Sequence, residues 1–248
     1  MTDQNNRFSS RLTFLLSALG IAVGTGNIWR FPRIVASNAG EDGAGAFLVA
    51  WITFLFLWSI PLIIVEYVMG RQSRMGTIGA FANFMGKPFA FLGGFVGFVS
   101  TAIAFFYSVI VGWNIYYFGV ITFTDLPQTN QASLMLWSSF QDSLFPILFH
   151  GVAMTVGGLA IYKGVSSIEK VNKVLIPVLL GIVILSVLRA ISLPGSFEGI
   201  SYLFTPDWSQ LKRPGIWVDA LAQNAFDTGA GFGLFLTYAI YILSLIHI

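Results

Sequence analysis

The stretch Ser17-Ala-Leu-Gly-Ile-Ala-Val-Gly-Thr-Gly-Asn-Ile-Trp-Arg-Phe-Pro32 constrains this chain more than any other. It lies in an apolar run long enough to cross a bilayer, yet Gly20, Gly24, Gly26 and Asn27 interrupt its middle. Each glycine weakens a helix interior by roughly 1 kcal/mol. An unpaired backbone group left in hydrocarbon costs several kcal/mol. Broken backbone at membrane depth is tolerated where protein encloses it or where it lines a cavity. There its free carbonyls and N–H groups can hold an ion or a polar solute.

Composition agrees with a polytopic membrane protein. The chain is 56% hydrophobic and only 10% charged, with a mean hydropathy of +0.77, which excludes an ordinary soluble domain. It has no cysteine, so disulfides and thiolate metal sites are excluded. His150 and His247 stand alone, which argues against a histidine metal centre. No nucleophile–base arrangement suggests an enzyme, and no nucleic-acid partner is expected.

Apolar runs predict six spans near residues 12–36, 45–69, 90–123, 145–162, 168–191 and 215–246. Arg7 and Arg11, then Arg71, Arg74 and Lys87, then Lys163, Lys170 and Lys173 fall on one side of them. That side is predicted to be cytoplasmic, N-terminus included. Glu41, Asp42, Asp125, Asp142, Glu198 and Asp207 fall on the other, together with Arg33, Lys212 and Arg213. The sixth run repeats the anomaly of the first: Gln223-Asn-Ala-Phe-Asp-Thr-Gly-Ala-Gly-Phe-Gly233 sets three glycines and an acid inside a span. Two glycine-broken spans, five spans apart, suggest an inverted repeat with a site between them.

Five further motifs appear in order: Gly24-Thr-Gly-Asn-Ile-Trp-Arg-Phe-Pro32, Gly43-Ala-Gly-Ala-Phe47, Ile60-Pro-Leu-Ile-Ile-Val-Glu66 with Met69-Gly-Arg71, Thr205-Pro-Asp207 and Pro214-Gly-Ile-Trp217. From about Arg11 to Tyr241 the chain resembles a bacterial member of the neurotransmitter:sodium symporters, the group containing the bacterial leucine transporter. The resemblance implies an all-α polytopic membrane protein of the leucine-transporter-type inverted-repeat fold. This chain would hold the first five-span repeat plus the sixth span. Residues 1–241 read as a partial symporter domain. Residues 242–248 read as an atypical tail, a possible truncation artefact, and the piece alone is not expected to transport.

The resemblance also implies residue roles. The Ala22 carbonyl and the Asn27 side chain belong to a first sodium site, and the Gly20 and Val23 carbonyls to a second. Backbone N–H groups of Thr25 and Gly26 receive a substrate carboxylate, with Gly24 giving close approach and Ala22 beside them. Helix N-termini and their dipoles favour such an anion. Tyr107 bonds the carboxylate, Ile103 lines the pocket, and Phe226 and Phe232 contact and cap the substrate. Arg30 serves an extracellular gate. Arg7 and Tyr241 serve a cytoplasmic latch, with Phe8 where relatives have tryptophan. Glu66 supports unwound backbone, and Gln223 bonds Asp227 or a nearby ion.

Asp227 departs from the pattern, because many relatives carry Ser or Thr there. Trp51 stands where chloride-dependent relatives carry tyrosine. Both changes suggest that Asp227 supplies a fixed negative charge beside sodium and makes chloride unnecessary; the alternative is that Asp227 carries a proton. Gly229 stands where serine is common, and its missing side chain is expected to leave room for a bulky apolar or aromatic amino acid. The expected function is sodium-coupled symport of a small amino acid by alternating access in a bacterial cytoplasmic membrane. A sodium-dependent receptor or channel on the same scaffold is the alternative. Sodium and the amino acid are the expected partners beside the lipid bilayer, with no cofactor and with homo-oligomerisation left open.

Overall fold

A computed structural model describes residues 8–24 and 26–242. The first span is two helices rather than one. Helix α1 (Arg11–Ala22) begins at Ser10, whose hydroxyl accepts from the Thr13 N–H while Thr13 returns the bond to the Ser10 N–H. Such reciprocal caps satisfy donors that a helix start leaves free. The chain resumes with a π-helical turn at Gly26–Arg30 and α2 (Phe31–Ser37), bent by 44° from α1.

The second span runs 29 residues as α3 (Gly45–Phe54), a π-helical turn at Leu55–Ser59 and α4 (Ile60–Ser73). Pro61 has no N–H to donate to the turn before it, which is where the regular ladder is lost. Helix α5 (Thr77–Met85) precedes α6 (Ala90–Phe123). At 34 residues α6 rises about 51 Å, well beyond the ~30 Å of a hydrocarbon core, so it must tilt or project. Helix α7 (Asn130–Gln141) meets α8 (Phe145–Ile161) at 71°. Then follow α9 (Val165–Ile191) and the short α10 (Ser196–Phe204). The sixth apolar run is two helices, α11 (Pro214–Thr228) and α12 (Leu234–Ile240), with a break between them.

Packing brings the two broken spans together. The half-helices α2 and α11 share a core with α3, built on Val35, Phe47, Ala50, Ile216 and Ala220. At the other end Phe8, Val165, Ala239 and Ile242 pack with Tyr67 and Tyr241. Helix α12 also packs on α4 and α5 through Leu236, Met69 and Ala80.

Two of the motifs meet where the loop before α3 packs on the end of α10. The Ala44 and Gly45 N–H groups donate to the carbonyls of Tyr202 and Thr205, both at 2.9 Å. A Cβ at Gly43 would lie 2.3 Å from the Thr205 carbonyl oxygen, so that approach needs glycine. Beside it, the Ser209 hydroxyl bonded to Asp207 holds that carboxyl below its usual range.

Candidate functional site

Helix α1 loses its ladder at Val23, whose N–H still reaches Leu19 at 2.7 Å. The break closes on itself. The Gly24 N–H donates to Asn27 Oδ1 at 3.2 Å, and the Asn27 N–H reaches back to the Gly24 carbonyl at 3.2 Å. Asn27 Oδ1 keeps a second lone pair for another partner. A Cβ at Gly24 would meet nothing within 4 Å, whereas one at Gly26 would lie 3.1 Å from the Phe226 carbonyl oxygen and 3.6 Å from Asp227 Oδ1. The first break therefore touches α11 at Gly26.

The second break is held differently. Gly229, Gly231 and Gly233 all have positive φ, at 67°, 88° and 69°. Between them the chain changes direction through conformations that side chains disfavour. Buried Glu66 of α4 braces the turn. Its Oε1 accepts from the Gly231 and Gly233 N–H groups at 2.7 and 3.1 Å, and its Oε2 accepts from the Leu236 N–H at 3.3 Å. This carboxylate also caps the start of α12, where backbone donors are free and the dipole is positive.

Between the breaks lies a buried polar cluster. Gln223 Nε2 donates to Asp227 Oδ1 at 2.6 Å and to the Gly26 carbonyl at 3.1 Å. Trp51 Nε1 donates to Asp227 Oδ2 at 3.1 Å. Gln223 Oε1 accepts from Arg30, whose guanidinium sits 4.7 Å from the Phe226 ring centroid. Asp227 thus accepts from two neutral donors, one on each carboxylate oxygen. Behind it, Asn224 accepts from Ser59 at 3.0 Å and donates to the Trp51 carbonyl at 2.8 Å. Asn224 and Ser59 were not singled out in the sequence. The signal was a second amide beside Gln223 in an apolar run.

Tyr107 and Ile103 lie half-buried on α6. Helix α6 touches the second break through Ser100, whose hydroxyl donates to the Phe232 carbonyl. Ser100, Ile103 and Tyr107 are three and seven residues apart, so they share one helix face. Among the described residues Tyr107 contacts Phe106 at 5.8 Å between ring centroids. Gly20 faces α9, where a Cβ would meet Ile176 at 3.2 Å. One turn earlier Asn172 donates to Ser17 at 3.1 Å. Buried Glu169, which was not singled out in the sequence, accepts from Thr13 Oγ1 at 2.6 Å and the Ser9 N–H at 2.5 Å. The Phe8 N–H donates to the Tyr241 carbonyl at 3.1 Å. Arg7 and Thr25 lie outside the described residues.

One expectation is corrected. Gly229 does not leave room beside the site. A Cβ there would lie 2.7 Å from Ile21 Cγ2 of α1, so Ile21 takes that volume and glycine serves a left-handed helix end against it.

Comparison with known proteins places this geometry among transporters. The sodium:neurotransmitter symporter family description matches residues 5–143 and 131–244. An uncharacterized sodium-dependent transporter of Methanocaldococcus jannaschii is 32% identical over 249 residues, covering 96% of this chain and 50% of that protein. The sodium-dependent neutral amino acid transporter B(0)AT2 of Bos taurus is 30% identical, covering 96% of this chain and 36% of that protein. The crystal structure of MhsT in complex with L-phenylalanine superposes with a TM-score of 0.83 at 33% identity, over 95% of this chain and 54% of MhsT. The chain thus spans about half the length of relatives it matches.

Proposed function

This chain belongs to the sodium:neurotransmitter symporter family, and on that premise we propose that it supplies the first half of a sodium-coupled symporter for a neutral, apolar or aromatic amino acid. The membrane is the cytoplasmic membrane of a bacterium, with the N-terminus inside, as the basic loops favour. Residues 1–241 are the symporter part.

The observation that carries this reading is Asp227 set between the two breaks on two neutral donors. A buried carboxylate in a membrane is expensive unless a cation joins it. Sodium would complete the cluster with Asp227, the Asn27 amide oxygen and the Ala22 carbonyl. A second sodium would sit at the Gly20 and Val23 carbonyls. The substrate carboxylate would take the Thr25 and Gly26 N–H groups beside Gly24, with the Tyr107 hydroxyl closing on it. Ile103, Phe226 and Phe232 would enclose its side chain. Arg30, bonded to Gln223 and stacked on Phe226, would cover the outer side. Phe8 and Tyr241, with Arg7, would close the inner side. Alternating access would then tilt the broken spans against the others.

Preference for an apolar or aromatic substrate is supported by the likeness to MhsT, whose structure holds L-phenylalanine, and not by space at Gly229. Asp227 with Trp51 takes the place of chloride. The test is uptake by the complete transporter in membrane vesicles, with a panel of glycine, leucine, phenylalanine and tryptophan. Uptake should follow the sodium gradient, favour the larger side chains, and persist when gluconate replaces chloride. Uptake indifferent to sodium would overturn the function; strong chloride dependence would overturn the role of Asp227.

A further inference from the structure

At the basic end of α4 a cavity of about 360 Å³ is lined by Tyr67, Val68, Arg71, Gln72 and Arg74. Tyr67, Arg71 and Arg74 are spaced i, i+4, i+7, so they share one face of the helix. Arg74 is fixed there. It ends α4 in a left-handed conformation, and its guanidinium donates to the carbonyls of Ile240 and, at 3.0 Å, Ile242 at the end of α12. Those carbonyls are the negative end of a helix, which suits the cation. Arg71, one turn before, makes no hydrogen bond among the described residues, so its fork of donors is open to an acceptor. Among the described residues no carboxylate lines the cavity.

The lining is half of the story. Ile64 and Val68 lie on the same helix, directly before the basic turn, and are exposed in this chain, which spans about half the length of its relatives. An apolar strip that ends in two guanidiniums and a phenol matches an amphiphile: acyl chain below, anionic phosphate above. Interfacial tyrosine and clustered arginine are the residues that meet headgroups. A free phosphate would use the donors and leave the strip without a role.

We propose that this cavity binds the phosphate of an anionic phospholipid headgroup, with Arg71 as its principal ligand. The assignment to the inner leaflet rests on the orientation proposed above; the binding itself does not depend on transport. The test uses the purified full-length transporter, exchanged in detergent with phosphatidylglycerol or phosphatidylcholine of matched chains. Retained lipid is counted by native mass spectrometry. Phosphatidylglycerol should be retained over phosphatidylcholine, and Arg71→Gln should weaken its retention about tenfold, the loss of one charge-assisted contact. Arg71→Lys should keep part of it, as a point charge without the fork. Gln72→Glu, an exposed change that sets a carboxylate in the cavity, should match Arg71→Gln and covers the case that Arg71→Gln does not fold. Sodium-dependent amino-acid binding is measured on the same samples and should be unchanged, so failure of the transport reading and of the lipid reading are told apart. Equal retention of both lipids, or retention unaffected by both Arg71→Gln and Gln72→Glu, overturns the proposal. Displacement of phosphatidylglycerol by millimolar inorganic phosphate overturns the lipid as the source of the phosphate.

Discussion

The two glycine breaks lie close together and are held by opposite means. The first break, around Gly24, is closed by its own Asn27 and touched from outside by one amide, Gln223. The second, from Gly229 to Gly233, is built on three left-handed glycines and clamped by both oxygens of Glu66. The first leaves open space at Gly24; the second has none at Gly229 and Gly233, where a Cβ would lie 2.7 Å from Ile21 and 2.6 Å from Thr77. A site that must bind, close and release needs a firm wall and a yielding one. On the proposed function, the difference points to the first span as the yielding wall.

The largest expected effect is loss of the clamp. Glu66→Ala strands three buried backbone donors and should cost at least about 3 kcal/mol of stability. Thermal unfolding of the purified full-length protein should show a large fall in Tm, and sodium-dependent binding should vanish. A variant as stable as the parent would break the contrast between the two breaks. Next comes the charge between them. Asp227→Asn keeps the shape of the cluster and removes the carboxylate, so sodium affinity in equilibrium binding should fall at least about tenfold. Unchanged sodium affinity would remove Asp227 from the ion site.

Smaller effects separate the glycines. Gly229→Ala forces a Cβ into a left-handed position against Ile21 and should destabilise by about 1–3 kcal/mol, read from the same melting curves. Gly24→Ala meets open space, so its stability should stay within about 1 kcal/mol of the parent. Its substrate affinity should nonetheless drop, because the added methyl intrudes where the carboxylate approaches. If Gly24→Ala unfolds the protein while Gly229→Ala is silent, the two walls have been assigned the wrong way round.

Much of the architecture was legible in the chain. All six apolar runs are helical, three to five of them long and apolar enough among the described residues to cross a membrane, and both glycine clusters became breaks, because glycine and proline act on the backbone locally. The pairing of Gln223 with Asp227 was legible too, since four residues make one helical turn. Other features depended on contacts that no local pattern encodes. Glu66 announced a buried acid, yet nothing near it in sequence says which broken span it braces. Glu169 carried no signal in the sequence, and only the packing of α1 lays Thr13 against it. Gly43 carried a motif without a reason until Thr205 was packed onto it.

The sequence by itself determined that two spans must break, where they break, and that an acid lies inside one of them. These follow from backbone propensity and the cost of charge in hydrocarbon, which act residue by residue. Only the tertiary structure decided that Trp51 and Gln223 share Asp227, that Glu66 serves the sixth span, and that Ile21 fills the space beside Gly229. Those are contacts between different helices: 176 residues separate Trp51 from Asp227 and 165 separate Glu66 from Gly231. Their geometry is set by how whole helices pack, so no single stretch of chain contains it.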